Sequence, residues 1–389
     1  MKKRVLLPVL LAQFFSSLAD NALLTVAIAL LISRGAPDWM TPALRVAFYA
    51  SYVLLAAFAG AVSDAAPKGQ VMLITNLVKL GGCGLLAWGV QPLLCYALVG
   101  LGAAGYGPAK YGILPELLLP EDLVAANGWI EATTVVSIVA GLALGGVLVE
   151  TQSALPVIAA IFLASAIVTV LIPRSHARNR AALANPRQLI LCFVDALALL
   201  WHDRQARTSL AVTSLFWAAA AVLQFMVLRW AGERLGLPLS RAALLQLAVA
   251  IGMVAGAIGA ARFVTLKRAM RTLPLGLLLG ALVTLMAFAS DVTVAFGLLL
   301  LIGALAGLLL VPMNAMLQSR GLLLMQPGQS IAAQNFYESL ASLLMLGLYG
   351  LLVAIQLPLI GILVGFGALL IVASTCLIFA GADSSRAIC

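Results

Sequence analysis

The 389-residue sequence predicts an all-α polytopic membrane protein, with twelve transmembrane helices in two six-helix bundles related by a pseudo-twofold axis. Three observations lead there. The chain is 63% hydrophobic and only 10% charged, whereas a soluble domain is about half apolar and about a quarter charged. Its apolar residues fall in runs of roughly 20, the length that crosses a bilayer core as a helix. The second half also repeats short words of the first, in the same order. Such a chain has no room for a sizeable soluble domain, and its net charge of +9 reads as membrane orientation rather than nucleic-acid binding.

In chain order, the first apolar run covers residues 5–33 behind Lys2, Lys3 and Arg4. A basic start followed by Ser17-Leu18-Ala19 also fits a cleaved signal peptide. Apolar sequence resumes at Ala22, however, so an uncleaved first span is expected. Further spans follow at 42–63, 70–90, 93–115, 123–149 and 154–172, completing a bundle over 1–173. A polar linker over 174–208 contains a mostly apolar stretch, Leu189 to Trp201, which fits a helix lying on the membrane surface or a plain connection. The second bundle, 209–389, holds spans at 209–232, 241–264, 272–290, 292–318, 329–354 and 357–381. Pro37, Pro67, Pro92, Pro120, Pro238, Pro274, Pro327 and Pro358 punctuate the breaks, as residues that cannot continue a helix should.

Charge sets the sidedness. With both termini in the cytoplasm, sixteen Lys and Arg fall in inner segments, among them Arg174, Arg178, Arg180 and Arg386, and four in outer ones, Arg34, Arg45, Arg234 and Arg241. That bias follows the positive-inside rule and requires an even number of spans. The repeat supports the same layout. Ala125 to Glu131 matches Ala332 to Glu338 at an offset of 207, Pro108-Ala109-Lys110 matches Pro312-Met313-Asn314 at 204, and Gly60 with Lys68 matches Gly259 with Lys267 at 199. Six helices separate the copies, so they share one orientation, the parallel repeat of six-plus-six transporters.

Polar groups inside apolar spans are the candidate site, because hydrocarbon penalises them by a few kcal/mol or more unless they face protein or water. Span 1 carries Gln13, Ser17 and Asp20 on one face, with Asn21 beside them. They fit either a cavity-lining face or polar glue between helices. Span 4 contains Gly107-Pro108-Ala109-Lys110-Tyr111-Gly112. Lys110 can meet a phosphate as a point charge, or snorkel from a helix end. Glu131 and Glu338 are repeat-related acids, with Asn127, Asn314, Gln334 and Asn335 near them in sequence or repeat. Proton relay, contact with a cationic head group, and structural pairing with Lys79, Lys110 or a loop base all remain open for them. In span 7, Ser214, Trp217 and Gln224 share a face, and Arg229 lies about 140° away. Five cysteines and two histidines in no paired spacing argue against metal or disulfide frameworks, and no cofactor is expected. Gly-x-x-x-x-Gly-Lys, Gly-x-Ser-x-Gly and His-Glu-x-x-His are absent, which excludes a P-loop ATPase and two common hydrolase types.

The inner loop Gly60-Ala61-Val62-Ser63-Asp64…Lys68 resembles the Gly-x-x-x-Asp…basic signature of the major facilitator superfamily. The resemblance implies that Asp64 caps a neighbouring helix and pairs with a base, steadying one conformation. Asp20-Asn21-Ala22-Leu23-Leu24, Pro108-Ala109-Lys110-Tyr111-Gly112, Asn127-Gly128 with Glu131, Pro312-Met313-Asn314 and Gln334-Asn335 with Glu338 resemble the bacterial lysophospholipid transporter family over nearly the whole chain. That resemblance implies a flippase moving lysophosphatidylethanolamine and lysophosphatidylglycerol to the cytoplasmic leaflet of the bacterial inner membrane. Lateral admission and alternating access are expected, with reacylation by an acyltransferase–acyl-carrier-protein synthetase. A monomer surrounded by membrane lipids, without enzymatic activity, is expected. The family's basic residue in span 7 aligns with Gln224, and only Arg229 stands nearby. The alternative is a proton-coupled exporter of amphipathic drugs, with Asp20, Glu131 or Glu338 as carrier.

Overall fold

The computed structural model describes residues 3–37, 39–149, 151, 153–173 and 185–382. The linker bases Arg174, Arg178 and Arg180, together with Lys2, Arg386 and Cys389, lie outside the described residues. Fourteen α-helices and two short 3-10 segments account for the elements, with no strand among the described residues. They are α1 (Lys3–Ser33), α2 (Met40–Ala65), α3 (Lys68–Ala87), α4 (Pro92–Gly112), α5 (Leu114–Leu117), α6 (Leu123–Leu148), α7 (Ala154–Thr169), α8 (Pro186–His202), α9 (Arg204–Leu235), α10 (Leu239–Phe263), α11 (Leu275–Met286), α12 (Val292–Leu324), α13 (Pro327–Ala354) and α14 (Leu359–Ala382).

Eleven segments are long and apolar enough to cross a membrane, and α7, at 16 residues, is a shorter apolar helix. These correspond one for one to the twelve expected spans. The expected boundaries shift most at span 9. It starts at Leu266 as a 3-10 turn, Leu266–Thr272, before the 12-residue α11. At 1.5 Å per residue α11 alone is too short to cross a bilayer. The apolar stretch in the linker is helical: α8 buries Leu189, Phe193, Ala196 and Leu200 at i, i+4, i+7 and i+11. Local chemistry sets several ends. Asp203 caps α9 by accepting from the Ala206 N–H at 2.9 Å, and Gly236, at φ +62°, ends it. Asp291 accepts from the N–H groups of Thr293 (2.8 Å) and Val294 (3.0 Å) at the head of α12. Those two bonds hold its carboxyl below the usual range.

The chain forms two compact units that each draw on both halves of the sequence. Unit 1 holds 1–120, 133–201 and 318–339; unit 2 holds 121–132, 202–317 and 340–389. In unit 1, α3 packs on α4 and α7, α4 on α2, and α1 on α7, around a core that includes Leu23, Leu44, Val99, Ile158 and Phe162. In unit 2, α14 packs on α11 and α9, around Met226, Trp230, Met286, Leu299 and Leu363. Helices α10 and α12 approach backbone to backbone through Gly252 and Gly256 on one and Gly303 and Gly307 on the other. A Cβ at Gly307 would fall 2.5 Å from the Met253 carbonyl oxygen. Reciprocal small-x-x-x-small pairs of this kind are how apolar helices associate without a hydrophobic driving force. Leu54, Ile74, Leu344 and Val372 are among the many large apolar side chains left exposed, as lipid-facing positions are.

Candidate functional site

Unit 1 holds a buried polar chain that starts from Asp20 in the middle of α1. Lys79 of α3 donates to Asp20 Oδ2 at 2.7 Å and to Ser16 Oγ at 3.0 Å. Ser16 donates to Asn76 Oδ1 (2.8 Å), Asn76 to Ser165 Oγ of α7 (3.0 Å), and Ser165 to the Ala12 carbonyl (2.8 Å). The side chains of Lys79 and Asp20 are 2% and 14% exposed, so each ion is compensated by the other rather than by bulk water. The Lys79 ammonium also sits 4.9 Å from the centroid of the Tyr106 ring, and Asp20 Oδ1 has no hydrogen-bond partner among the described residues.

The polar face expected on α1 is therefore wider than its spacing indicated. Ser16, four residues before Asp20, joins the Lys79 chain, while Gln13 donates to Thr134 of α6 at 2.9 Å. Asn21 spends its amide on the Ser17 carbonyl one turn back, at 2.8 Å. Lys79 partners Asp20 and neither repeat-related glutamate.

Lys110 is 7% exposed and lies 4.0 Å from the centroid of its neighbour Tyr111, a cation–π contact. It is within electrostatic reach of Asp20. Gly107, one turn before it, leaves the space that Asn335 of α13 occupies. A Cβ there would fall 2.7 Å from Asn335 Nδ2 and 3.7 Å from the Tyr52 ring. Tyr52 of α2 is in turn within reach of Asp20 and Glu338. Gln334 donates to Glu338 at 2.7 Å along α13. Asp20, Lys110, Asn335 and Glu338 thus share one neighbourhood of unit 1, together with Lys79, which the sequence offered only as a partner for the glutamates, and Tyr52, which it did not offer. Lys79 carried a readable signal, an ionisable group inside a span; Tyr52 carried none.

A second cluster in unit 1 surrounds Asp64. Its Oδ1 accepts from the Gly328 N–H at 2.8 Å and its Oδ2 from the Gln329 N–H at 3.0 Å. A carboxylate thus caps the head of a helix 264 residues away, where the helix dipole favours negative charge. Lys68 pairs with Asp64 at 3.0 Å and with Glu116 at 3.3 Å, and all three side chains are nearly fully buried. Gly60 and Gly328 permit the approach: a Cβ at Gly328 would fall 2.6 Å from Asp64 Oδ1, and one at Gly60 would fall 2.9 Å from the Ala332 Cβ. Helix α8 braces the same segment, with Phe193 edge-on to Phe336 and Trp201 stacked on Tyr337.

In unit 2, Asn314 of α12 donates to Glu131 of α6 at 3.2 Å, and both are buried. Gln224 lies half-buried on α9, and its backbone carbonyl accepts from Gln246 at 3.0 Å. Arg229 is engaged by Glu233, Nε to Oε1, at 2.5 Å. No group of three or more metal-ligating side chains is gathered among the described residues.

A dozen apolar helices with acids and bases paired inside them define a polytopic membrane protein whose ionised groups are compensated within its spans. The Major Facilitator Superfamily model matches residues 9–345, and the chain belongs to that superfamily and, within it, to the lysophospholipid transporter family. It is 44% identical over 362 residues, 92% of its own length and 89% of theirs, to the lysophospholipid transporter LplT of Yersinia pestis (strain Pestoides F) and of Yersinia pseudotuberculosis serotype O:3 (strain YPIII). Its fold is similar to that of the E. coli fucose:proton symporter FucP (TM-score 0.76, 15% identity, covering 97% of this chain and 98% of that one). The human organic anion transporter MFSD10 is similarly close in fold (TM-score 0.75, 17% identity, covering 97% and 98%).

Proposed function

We propose that the protein moves lysophospholipids, chiefly lysophosphatidylethanolamine and lysophosphatidylglycerol, from the outer to the cytoplasmic leaflet of a bacterial inner membrane. The observation that carries this reading is the 44% identity to the LplT transporters over nearly the full length of both chains. The buried base Lys110, within electrostatic reach of Asp20 and one turn from the Gly107–Asn335 contact, supports it. The two sequence halves, 1–173 and 209–389, act as the alternating bundles joined by 174–208, with both termini in the cytoplasm. A lysolipid is admitted sideways. Its phosphate meets Lys110; Asp20, Asn21, Tyr111, Gln224, Gln334, Asn335 and Glu338 shape the polar path. One acyl chain fits where two do not, and each buried CH₂ contributes about 0.8 kcal/mol. The Asp64–Lys68–Gly60 cluster and the Glu131–Asn314 bond tie the halves together in one state and release in the other. The chain works as a monomer and delivers its product to an acyltransferase–acyl-carrier-protein synthetase.

The test is uptake of labelled lysophosphatidylethanolamine into proteoliposomes or spheroplasts by the wild type, Lys110→Ala and Asp20→Asn. Loss of at least tenfold in both variants, at normal expression, is expected. Full uptake in both would remove these residues from the path. Uptake that collapses with the proton gradient, together with drug export, would instead mark a proton-coupled exporter.

A further inference from the structure

One recess in unit 2 belongs to none of the clusters above. It lies where the last turns of α9 meet the turn between α13 and α14, has a volume of about 540 Å³, and is lined by Arg229, Trp230, Glu233, Arg234, Gln356, Leu357 and Ile360 among others. Three features make it a receiver of negative charge. Its charged lining is two arginines against one glutamate, a surplus of one positive charge. Trp230 is fully buried, yet among the described residues its indole N–H has no acceptor; nor has Arg229 Nη1, although the same guanidinium bonds Glu233 and Tyr349 through its other nitrogens. A buried donor left without an acceptor is costly, so a site that retains two of them gains by an acceptor-rich occupant. Gln356 holds φ at +58°, the sole non-glycine with positive φ among the described residues. Backbone strain of this kind gathers at ligand sites.

The recess is also two-sided. Arg234 is exposed at its polar rim, whereas Leu357 and Ile360, 39% and 38% exposed, form an apolar lip. Guanidinium groups meet phosphate in a planar, two-pronged fashion, and a phosphate next to an apolar lip is the signature of an amphiphile rather than of a free ion. We propose that this recess binds the phosphodiester of a phospholipid head group, with the start of its acyl chain on Leu357 and Ile360. It is a surface docking site that a lysolipid occupies before it reaches Lys110. That order of events rests on the transport reading and its orientation, which puts this end of α9 on the outer face; binding itself does not.

The test uses the purified full-length chain in phosphate-free detergent. Tryptophan fluorescence is titrated with lysophosphatidylglycerol, glycerophosphoglycerol, inorganic phosphate and monoacylglycerol, and the Trp230→Phe variant isolates the local signal. Lysophosphatidylglycerol is expected to give a saturable change that Trp230→Phe abolishes. Its midpoint should lie at least tenfold below those of glycerophosphoglycerol and phosphate. Arg234→Ala, at an exposed position that leaves folding intact, should raise that midpoint about tenfold, and Arg229→Lys should raise it less than Arg229→Ala. Equal response to inorganic phosphate would overturn the lipid assignment in favour of a free-anion site. Equal response to monoacylglycerol, or an unchanged midpoint in Arg234→Ala, would overturn the site. Uptake assayed on the same preparations separates the two readings. A Trp230 response without transport removes the transport reading alone, and transport without a Trp230 response removes the recess alone.

Discussion

Lys79 and Asp20 are each tolerable in the middle of a membrane helix only because of the other. Removing one partner of a buried pair strands the remaining charge, at a cost of about 3–5 kcal/mol. Lys79→Ala should therefore lower the unfolding midpoint in detergent sharply. Asp20→Asn combined with Lys79→Gln should recover most of that loss, because neither charge remains; a double-mutant cycle reads the coupling directly. Transport should stay impaired in the double variant, which separates stability from function. The half-exposed Arg229–Glu233 pair sits at the other extreme, where an i,i+4 pair is worth about 0.3–0.5 kcal/mol. Sequence reading located the ionisable groups inside spans but not their partners. Helical periodicity orders residues along one helix, and the Asp20–Lys79 bond runs between two helices 59 positions apart. It likewise favoured Ser17 over Ser16, because the face of α1 that meets α3 is decided by packing.

At the level of elements, the head of α13 is held by a capping carboxylate, two close glycines and two aromatic contacts from α8. Side-chain caps and charge–dipole contacts contribute about 0.5–2 kcal/mol, so Asp64→Asn should favour the released state by roughly 2- to 30-fold. A cysteine placed at Ala332, 1% exposed beneath Gly60, reports it: maleimide labelling should be slow in the otherwise wild-type chain and faster with Asp64→Asn. Gly328→Ala should act in the same direction, because its methyl group would press on the Asp64 carboxylate. Labelling unchanged by either substitution would mean that Asp64 does not hold this helix. The Gly60…Asp64…Lys68 pattern made the cap legible from sequence, although Gly60 and Asp64 lie in the last turns of α2 and Lys68 opens α3, not in the expected loop. Its recipient was not legible, since nothing local in 327–329 says which acid approaches it. The helix α8 was legible as an apolar stretch, but its docking onto Phe336 and Tyr337 was not.

For the molecule as a whole, the twelve spans were readable because hydrocarbon thickness dictates their length; their direction is an expectation from the charge bias. Fluorescent-protein fusions at the C terminus should fluoresce, and alkaline-phosphatase fusions in the loops at 34–38 and 236–238 should be active; the reverse pattern would invert the topology. The packing of α10 on α12 divides the glycines into two classes. Gly256→Leu and Gly303→Leu should fail to accumulate in the membrane, because backbone atoms occupy the space a side chain needs. Gly347→Ala and Gly350→Ala, with nothing within 4 Å of an added Cβ, should accumulate normally. The repeat, by contrast, did not reveal that 121–132 joins unit 2 while 318–339 joins unit 1. A repeated word marks equivalent positions in the two halves and carries no information about which neighbours each position meets.

That exchange of segments has a consequence for biosynthesis. A ribosome working at about 5–20 residues per second leaves roughly 13–53 s between Asp64 and the Gly328 N–H it grips. During that interval a nascent chain threads into the bilayer with an acid still uncapped, and Glu131 waits for Asn314. The insertion machinery or a membrane chaperone then has to shelter an unfinished first half, and slowing translation through the second half should lower yield more than slowing it through the first.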